Sequence, residues 1–293
     1  MSNGDENDPP ETGEDGGGQP GGGRRMSALA AFGWSCVGVF FAIASIGVSL
    51  SLRPGLSLDI VNNIACSALG FTLAMLLALF IHLPDLEVPD ALGIRPASPL
   101  LFGVAALVGG VLQVPATWMS SAIERRFPRS QEELDHLAAA FTLPPGAYRI
   151  AFAAGAVALG PLVEELLFRG VLFRGLRRAY ARTAVVLLTA FCFSAMHLDT
   201  RKFLPILLCG LVLGHLRERA GSLGPSLVGH MMFNGLTTFG LLVGWTSMDE
   251  TTTRIPFVIG ASSIVALLLL LALYTWLAER SPLAAAGREA DAS

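Results

Sequence analysis

Charged residues are scarce in this sequence. Asp, Glu, Lys and Arg make up 15% of its 293 residues, whereas ordinary soluble domains contain roughly 25%. Hydrophobic residues make up 53%, and the mean hydropathy is +0.59. Several apolar runs approach or exceed the ~20 residues that a helix needs to cross a bilayer. The composition therefore excludes an ordinary soluble domain and predicts an all-α polytopic membrane protein.

Several familiar motifs are missing as well. The cysteines lie singly in apolar segments, with no CxxC spacing that would indicate a disulfide framework or a thiolate metal site; they are Cys36, Cys66, Cys192 and Cys209. No serine lies in a GxSxG motif, which argues against the nucleophile elbow of a serine hydrolase. We find no internal repeat and no nucleic-acid-binding motif, so nucleic acid is not an expected partner.

Apolar runs separated by Gly- and Pro-rich connections predict about eight membrane spans. Their approximate ranges are 27–50, 60–82, 98–121, 149–172, 183–199, 203–217, 223–245 and 255–278. Residues 130–133 (SQEE) have a capping-box pattern, so a short helix over about 131–141 is expected outside the membrane. Residues 1–26 are acidic and rich in Gly and Pro, a composition that predicts a disordered tail.

The distribution of Lys and Arg predicts the orientation. We count eleven of these residues in the connections on the N-terminal side and seven on the opposite side. The arginines of residues 174–182 contribute most to the difference. Because positively charged connections remain on the cytoplasmic side, we expect both termini to be cytoplasmic and the protein to be integral to the cell membrane.

Three charged side chains interrupt the fourth span. They are Glu164, Glu165 and Arg169, and each ionised group at a helix centre costs roughly 2.5–3.5 kcal/mol. Glu165 and Arg169 are four residues apart in the order that favours an ion pair on one helix face. Glu164 is rotated by about 100° from Glu165, which leaves it free. A buried, unpaired carboxylate suits a general base, although a purely structural charge network is an equally open interpretation.

Two further helix faces carry polar residues at membrane depth. Phe193 and His197 are four residues apart in the fifth span, and His230 and Asn234 are four apart in the seventh. Intramembrane ionisable residues are functional candidates, although a single buried histidine is more often a hydrogen-bonded core residue. Together with Glu164, His197 could orient and deprotonate a water, while His230 and Asn234 could donate hydrogen bonds to an oxyanion.

The same side chains permit a zinc site. One glutamate and two histidines, Glu164, His197 and His230, match the ligand set of several catalytic zinc sites. The HExxH motif is absent, however, so ligand type is the sole support for zinc. We therefore favour chemistry without a metal or other cofactor and keep Zn²⁺ as the alternative.

Three motifs in this order resemble a known family. They are EExxxR (Glu164, Glu165 and Arg169), FxxxH (Phe193 and His197) and HxxxN (His230 and Asn234). Over about residues 148–242 the chain is similar to the CPBP, or ABI, intramembrane proteases, which include type II CAAX prenyl endopeptidases and bacteriocin-processing enzymes. The resemblance implies eight membrane helices around a polar catalytic cavity between the fourth, fifth and seventh.

The resemblance also assigns roles and a substrate class. Glu164 and His197 would activate water, His230 and Asn234 would stabilise the oxyanion, and Glu165, Arg169 and Phe193 would support the site. The expected partners are the lipid bilayer and a prenylated or membrane-associated peptide or protein, cleaved near its C-terminus. Because this family has also been described as metalloproteases, the resemblance leaves the zinc alternative open.

The resulting division of the chain has four parts. After the tail 1–26, residues 27–147 hold the first three spans and their connecting loop, 148–242 form the catalytic core, and 243–293 hold the last span and a C-terminal tail. A non-enzymatic immunity or scaffold protein of the same fold is the alternative function. A proton-coupled transporter is a further alternative, but it predicts repeated halves with interrupted helices, and the sequence shows no such symmetry.

The predicted spans place the candidate groups at different depths. Glu164 lies in the cytoplasmic half of its span, whereas His197 lies near the opposite end of its own. They meet only if the fifth helix starts deeper in the membrane or if the fourth continues through the Arg174 cluster.

Overall fold

The computed structural model describes residues 25–53, 59–141, 144–244 and 254–291. Every regular element in these ranges is a helix, which confirms the predicted all-α fold. The predicted tail lies mostly outside the described residues, which begin at Arg25. The helices are α1 (Ala28–Leu52), α2 (Ile60–His82), α3 (Val88–Leu92), α4 (Pro99–Arg126), α5 (Gln131–Ala140), α6 (Ala147–Arg177), α7 (Arg182–Ala195), α8 (Phe203–Ala220), α9 (Leu223–Leu242), α10 (Phe257–Glu279) and α11 (Pro282–Ala290).

Five helices in the described part of the chain are long and apolar enough to cross a membrane: α1, α2, α4, α6 and α10. They present large apolar side chains outward, among them Phe40, Phe80 and Leu268, as lipid-facing helices do. The polytopic membrane fold is thus confirmed. Helices also occupy the remaining predicted spans, but α7 has 14 residues and α8 carries Arg217, Glu218 and Arg219, so the count of eight crossings stays a prediction.

The helices pack in pairs, some between neighbours in sequence and some between distant segments. Helix α1 packs along α2, α7 along α8, and α4 against both α9 and α10. Glycine permits the close approach of α4 and α9, since a Cβ on Gly109 would collide with the carbonyl oxygen of Gly229. Helix α6 contacts α2 on one side and α9 on the other, so a side chain on α6 can face the centre of the bundle.

The predicted short helix after α4 is confirmed as α5. The Ser130 hydroxyl accepts a hydrogen bond from the Glu133 backbone N–H at 3.2 Å, and the Glu133 carboxylate accepts one from the Ser130 N–H at 2.8 Å. This is the reciprocal capping box that the SQEE sequence predicts. None of the residues of α5 is buried.

Three predicted helix ends were wrong by four or five residues. The third predicted span stops at residue 121, but α4 continues to Arg126. The fourth predicted span stops at residue 172, but α6 continues to Arg177 and takes Arg174 into its buried side. The fifth was predicted to run to residue 199, yet α7 ends at Ala195, so His197 lies in the turn that follows. Leu198 in that turn has a φ of 55°, which a right-handed helix cannot accommodate.

The chain after α10 also differs from the expected tail. It forms the helix α11, and Asp291 at its end is buried. Arg174 and Arg217, which we counted among the connecting residues, are buried in α6 and α8. The orientation of the termini therefore stays a prediction that rests on the other arginines.

The substitution Asp199→Asn tests the link between α4 and the turn that carries His197. Arg129 Nη2 lies 2.7 Å from Asp199 and 2.8 Å from Glu124. Burial disfavours the charged form of Asp199, but the hydrogen bond and charge of Arg129 outweigh it and hold the pKa of Asp199 below its ordinary value of 3.8. A carboxylate with a lowered pKa stabilises the fold at neutral pH and loses that contribution as the pH falls through its folded-state pKa.

We therefore expect Asp199→Asn to lower the melting temperature at pH 7, and the difference from wild type to shrink once the pH falls below about 4. Melting of the detergent-purified proteins across pH measures this. The control is Glu132→Gln, which removes an acid that is 86% exposed and should melt like wild type. A difference that is independent of pH would contradict the proposed charge link.

Candidate functional site

Two π-helical turns flank the acidic pair on α6. They span Gly155–Leu159 and Leu166–Leu172, and the Gly160 N–H donates to the Gly155 carbonyl five residues back. Pro161 has no N–H to donate to the regular helical ladder, which favours a change of register at this point. Such π turns often occur at functional sites. The Gly160-Pro161 dipeptide was the sequence signal for them, and our sequence analysis missed it.

The predicted pair of Glu165 and Arg169 is confirmed. Arg169 Nη1 donates to Glu165 Oε1 at 2.9 Å, and both side chains are fully buried. Arg169 Nη2 also donates to the Gly210 carbonyl of α8 at 3.1 Å. Its guanidinium lies 4.4 Å from the ring centroid of Phe193, a distance typical of a cation–π contact. The pair therefore joins α6 to α7 and α8.

His230 completes this buried network from α9. Its Nδ1 lies 3.1 Å from Glu165 Oε1, and its Nε2 lies 3.6 Å from Glu164 Oε2. Since the Glu165 carboxylate accepts from Arg169, Nδ1 of His230 carries the hydrogen of this contact. Nε2 is thereby directed at Glu164. The side chain of His230 is 4% exposed, so it approaches Glu164 from the protein interior.

His197 is held in a similar way. Its Nδ1 lies 2.8 Å from the Phe193 carbonyl oxygen, which can only accept, so Nδ1 donates. In the neutral ring this leaves the Nε2 lone pair available to take a proton or to accept a hydrogen bond. The Phe193 ring packs edge-on against both His197 and His230, with centroid distances of 4.9 and 5.8 Å. The FxxxH spacing therefore places one ring between the two histidines.

A cavity of about 760 Å³ brings the candidate groups together. Glu164, His197 and Asn234 all line it, so the turn after α7 and the acidic part of α6 open onto the same space. No hydrogen bond or ion pair joins Glu164 to His197 in the described part of the chain. His230 is not among the described residues that line this cavity.

Asn234 connects α9 to the first π turn. Its Nδ2 donates to the Ala156 carbonyl at 3.0 Å. An amide nitrogen carries two hydrogens, so the second remains for a group in the cavity. The contact also fixes the position of the amide relative to α6, which carries Glu164.

Further polar residues of the cavity wall were not singled out from the sequence. Thr237 donates to Gln113 Oε1 at 3.1 Å, and Gln113 Nε2 lies 3.4 Å from Thr117 Oγ1. Thr237 follows Asn234 by three residues and so shares its helix face, which was an available signal. Across the cavity, α1 and α2 contribute apolar side chains such as Ile43, Ile46, Ile64 and Phe71.

The arrangement does not assemble the alternative zinc ligands. No group of three or more His, Cys, Asp or Glu side chains among the described residues could hold a metal ion. Glu165 and the Phe193 carbonyl hold the Nδ1 atoms of His230 and His197, which leaves both Nε2 atoms free, as in zinc-bound histidines. These contacts by themselves therefore favour neither alternative. Chemistry without a metal stays a prediction, which a chelator can test.

The substitution Arg169→Ala tests the buried pair. It leaves the Glu165 carboxylate buried without its cation, so we expect a loss of about 3–5 kcal/mol in the free energy of unfolding. Melting of the detergent-purified protein measures the loss. The control is Arg182→Ala, whose side chain is 48% exposed beside Glu218 and should contribute about 0–1 kcal/mol.

The double substitution Glu165→Gln/Arg169→Met separates charge from shape. Because it removes both charges, it should destabilise the protein less than Arg169→Ala alone. An Arg169→Ala variant with the melting temperature of wild type would contradict the conclusion that Arg169 compensates the buried charge of Glu165.

Comparison with known proteins gives one match, which covers the part of the chain that contains the candidate site. Residues 146–236 match the family model described as Type II CAAX prenyl endopeptidase Rce1-like. No curated protein and no solved structure matches the chain. The match runs from α6 into α9 and includes every candidate residue from Glu164 to Asn234. Residues 146–236, about a third of the chain, are therefore similar to the Rce1-like domain of type II CAAX prenyl endopeptidases.

Proposed function

We propose that this protein is an intramembrane endopeptidase that hydrolyses a peptide bond with a water activated by Glu164 and His197. The Rce1-like family is a protease family, which supports a hydrolase. The observation that carries the proposal is the shared cavity wall of Glu164, His197 and Asn234. His197 and Asn234 are each fixed there by a hydrogen bond to a backbone carbonyl.

The first step activates water. A water between the two side chains donates one hydrogen bond to His197 Nε2 and transfers its other proton to the Glu164 carboxylate. Its oxygen attacks the peptide carbonyl carbon, and the carbonyl π electrons move to oxygen. His230, whose Nε2 lies 3.6 Å from Glu164, orients that carboxylate from the protein side in the form that carries a hydrogen on both ring nitrogens. Orientation of this kind is a large part of enzymatic rate enhancement.

The second step breaks the C–N bond. The amide of Asn234 donates its remaining hydrogen to the oxyanion, a contact that is worth roughly 2.7–4 kcal/mol in other enzymes. The oxyanion collapses to a carboxyl group while protonated Glu164 returns its proton to the leaving nitrogen. The buried position of His230 favours support of Glu164, whereas the sequence alone paired it with Asn234 at the oxyanion.

The walls of the cavity indicate the substrate class. Helices α1 and α2 contribute mostly apolar residues to the wall, including Ile43, Ile46 and Phe71, together with the polar Asn63 and Ser67. Burial of apolar surface contributes about 25 cal/mol per Å², so these walls favour a prenylated or membrane-embedded peptide. We propose cleavage near the C-terminus of such a substrate, in the cell membrane, with both termini of the enzyme cytoplasmic.

Cleavage of a quenched prenylated peptide by the purified full-length protein tests this function. We expect Glu164→Gln, which keeps the shape of the side chain but not its basicity, to abolish cleavage. The matched control Glu132→Gln removes an exposed glutamate from α5 and should cleave like wild type. A strong chelator should leave wild-type activity unchanged.

Three outcomes would overturn parts of the proposal. Full activity of Glu164→Gln would remove this residue as the base. Loss of activity with chelator, restored by Zn²⁺, would replace the metal-free mechanism. If neither prenylated nor unmodified membrane peptides are cleaved by folded wild type, the non-enzymatic alternative is favoured.

A second prediction concerns the oxyanion. We expect Asn234→Ala to lower kcat by about 10²–10³-fold with little change in KM, because the contact forms in the transition state. Steady-state kinetics with the same peptide measures both constants. The control is Thr237→Ala on the same helix face, which should retain kcat within about tenfold. A rise in KM with unchanged kcat would assign Asn234 to substrate binding.

A further inference from the structure

The C-terminal helix α11 packs closely against the end of α8. Gly221 ends α8 with a φ of 62°, and a Cβ there would lie 2.5 Å from the Arg288 nitrogen. The Arg288 side chain donates to the Arg219 carbonyl at 2.6 Å. This close approach of two backbones places the end of α11 beside the interior of the bundle.

Asp291, at the end of α11, lies among three arginines. Its carboxylate accepts two hydrogen bonds from Arg217, at 2.7 and 3.0 Å, and one from Arg95 at 2.7 Å. Its backbone carbonyl accepts from Arg174 Nη1 at 2.6 Å. Asp291 is 4% exposed, and Arg217 and Arg174 are at most 1% exposed. The arginines thus form a binding site for a carboxylate, which the side chain of Asp291 occupies.

The Asp291 carboxylate provides the negative charge that compensates the buried arginines. Arg217 and Arg174 are buried, and a buried charge that loses its partner destabilises a protein strongly. The exposed Asp90 pairs with Arg95 at 3.1 Å and does not reach the other two in the described contacts. Burial opposes ionisation of Asp291, but the charge of Arg217 outweighs it and lowers its pKa, so the group is a carboxylate at neutral pH.

A continuous set of hydrogen bonds leads from Asp291 to the candidate active site. Arg217 binds Asp291 with its terminal nitrogens and donates from Nε to the Arg169 backbone carbonyl at 3.1 Å. Arg169 in turn binds Glu165, and Glu165 binds His230. Arg217 therefore holds the backbone of α6 in the second π turn, at the residue whose side chain fixes Glu165.

We propose that Asp291 is a positioning residue. Its carboxylate fixes the position of the Arg217 side chain, which in turn fixes the α6 backbone at Arg169. The placement of Glu164 and His230 depends on this part of α6. The inference of an effect on catalysis rests on the proposed peptidase function. The carboxylate site itself does not, and its occupancy can be measured by stability alone.

Chemical rescue of Asp291→Gly tests the carboxylate site. The variant leaves the arginines with a space the size of a small carboxylate. We expect its melting temperature to be lower than that of wild type and to be restored by millimolar formate or acetate at constant ionic strength. Chloride should not restore it. The control is Glu289→Gly, which removes an exposed acid from the same helix and should neither melt early nor respond to formate.

Kinetics with the quenched peptide test the positioning role. We expect Asp291→Gly to lower kcat on the order of 10- to 100-fold, the usual effect of a small displacement of catalytic groups, with KM nearly unchanged and with recovery in formate. Asp291→Asn fills the space without the charge, so it should lose turnover without rescue. Asp291→Glu should keep most of the activity.

The outcomes separate the two proposals. The positioning role would be overturned if the Asp291→Gly and Asp291→Asn variants had the same melting temperature and kcat as the Glu289→Gly variant. Formate that restores melting but not kcat would also overturn it, leaving a structural carboxylate. If Asp291→Gly does not fold, Asp291→Asn decides: unchanged kcat overturns the proposal, and reduced kcat with unchanged KM supports it. An inactive wild type would overturn the peptidase function, while the melting rescue still tests the site.

Discussion

The buried ion pair between Glu165 and Arg169 is the constraint on which the rest of the site depends. Removal of two charges from water costs several kcal/mol per ion, which attraction offsets only when further hydrogen bonds are made. Here His230 supplies one to the carboxylate, and the Gly210 carbonyl accepts one from the guanidinium. Each compensating group comes from a different helix, so satisfying the pair also determines how α6, α8 and α9 fit together.

The position of Glu165 in the buried network determines the direction in which the Glu164 side chain points. Adjacent positions on a helix differ by about 100°, so Glu164 is turned out of the network and lines the cavity. Glu164 and Glu165 are adjacent in sequence but have different surroundings. In other proteins, such a difference in environment gives two carboxylates different chemical roles. The π turns on either side adjust the register of α6 without interrupting it.

The sequence could predict those features of the site that depend on the spacing of residues within one helix. The four-residue spacings of Glu165 with Arg169 and of His230 with Asn234 each define one helix face, and the structure keeps both within single helices. The turn at His197 and the burial of Arg174 and Arg217 were missed, because they depend on contacts across the fold. Arg217 and Asp291 are 74 residues apart, and nothing in the short, alanine-rich sequence of α11 indicates that its end is buried.

The energetics of Glu164 favour chemistry over a purely structural role. A scaffold of this fold needs the Glu165–Arg169 pair, whereas a second carboxylate that is only 22% exposed on the cavity wall loses part of its hydration, which is unfavourable for a charge. Glu164 has neither an arginine nor a lysine among its described partners; its neighbour is the edge of a histidine. Proteins commonly retain such locally destabilising groups where activity requires them. The surroundings of Glu164 therefore fit the catalytic role that we propose for it better than a role in packing.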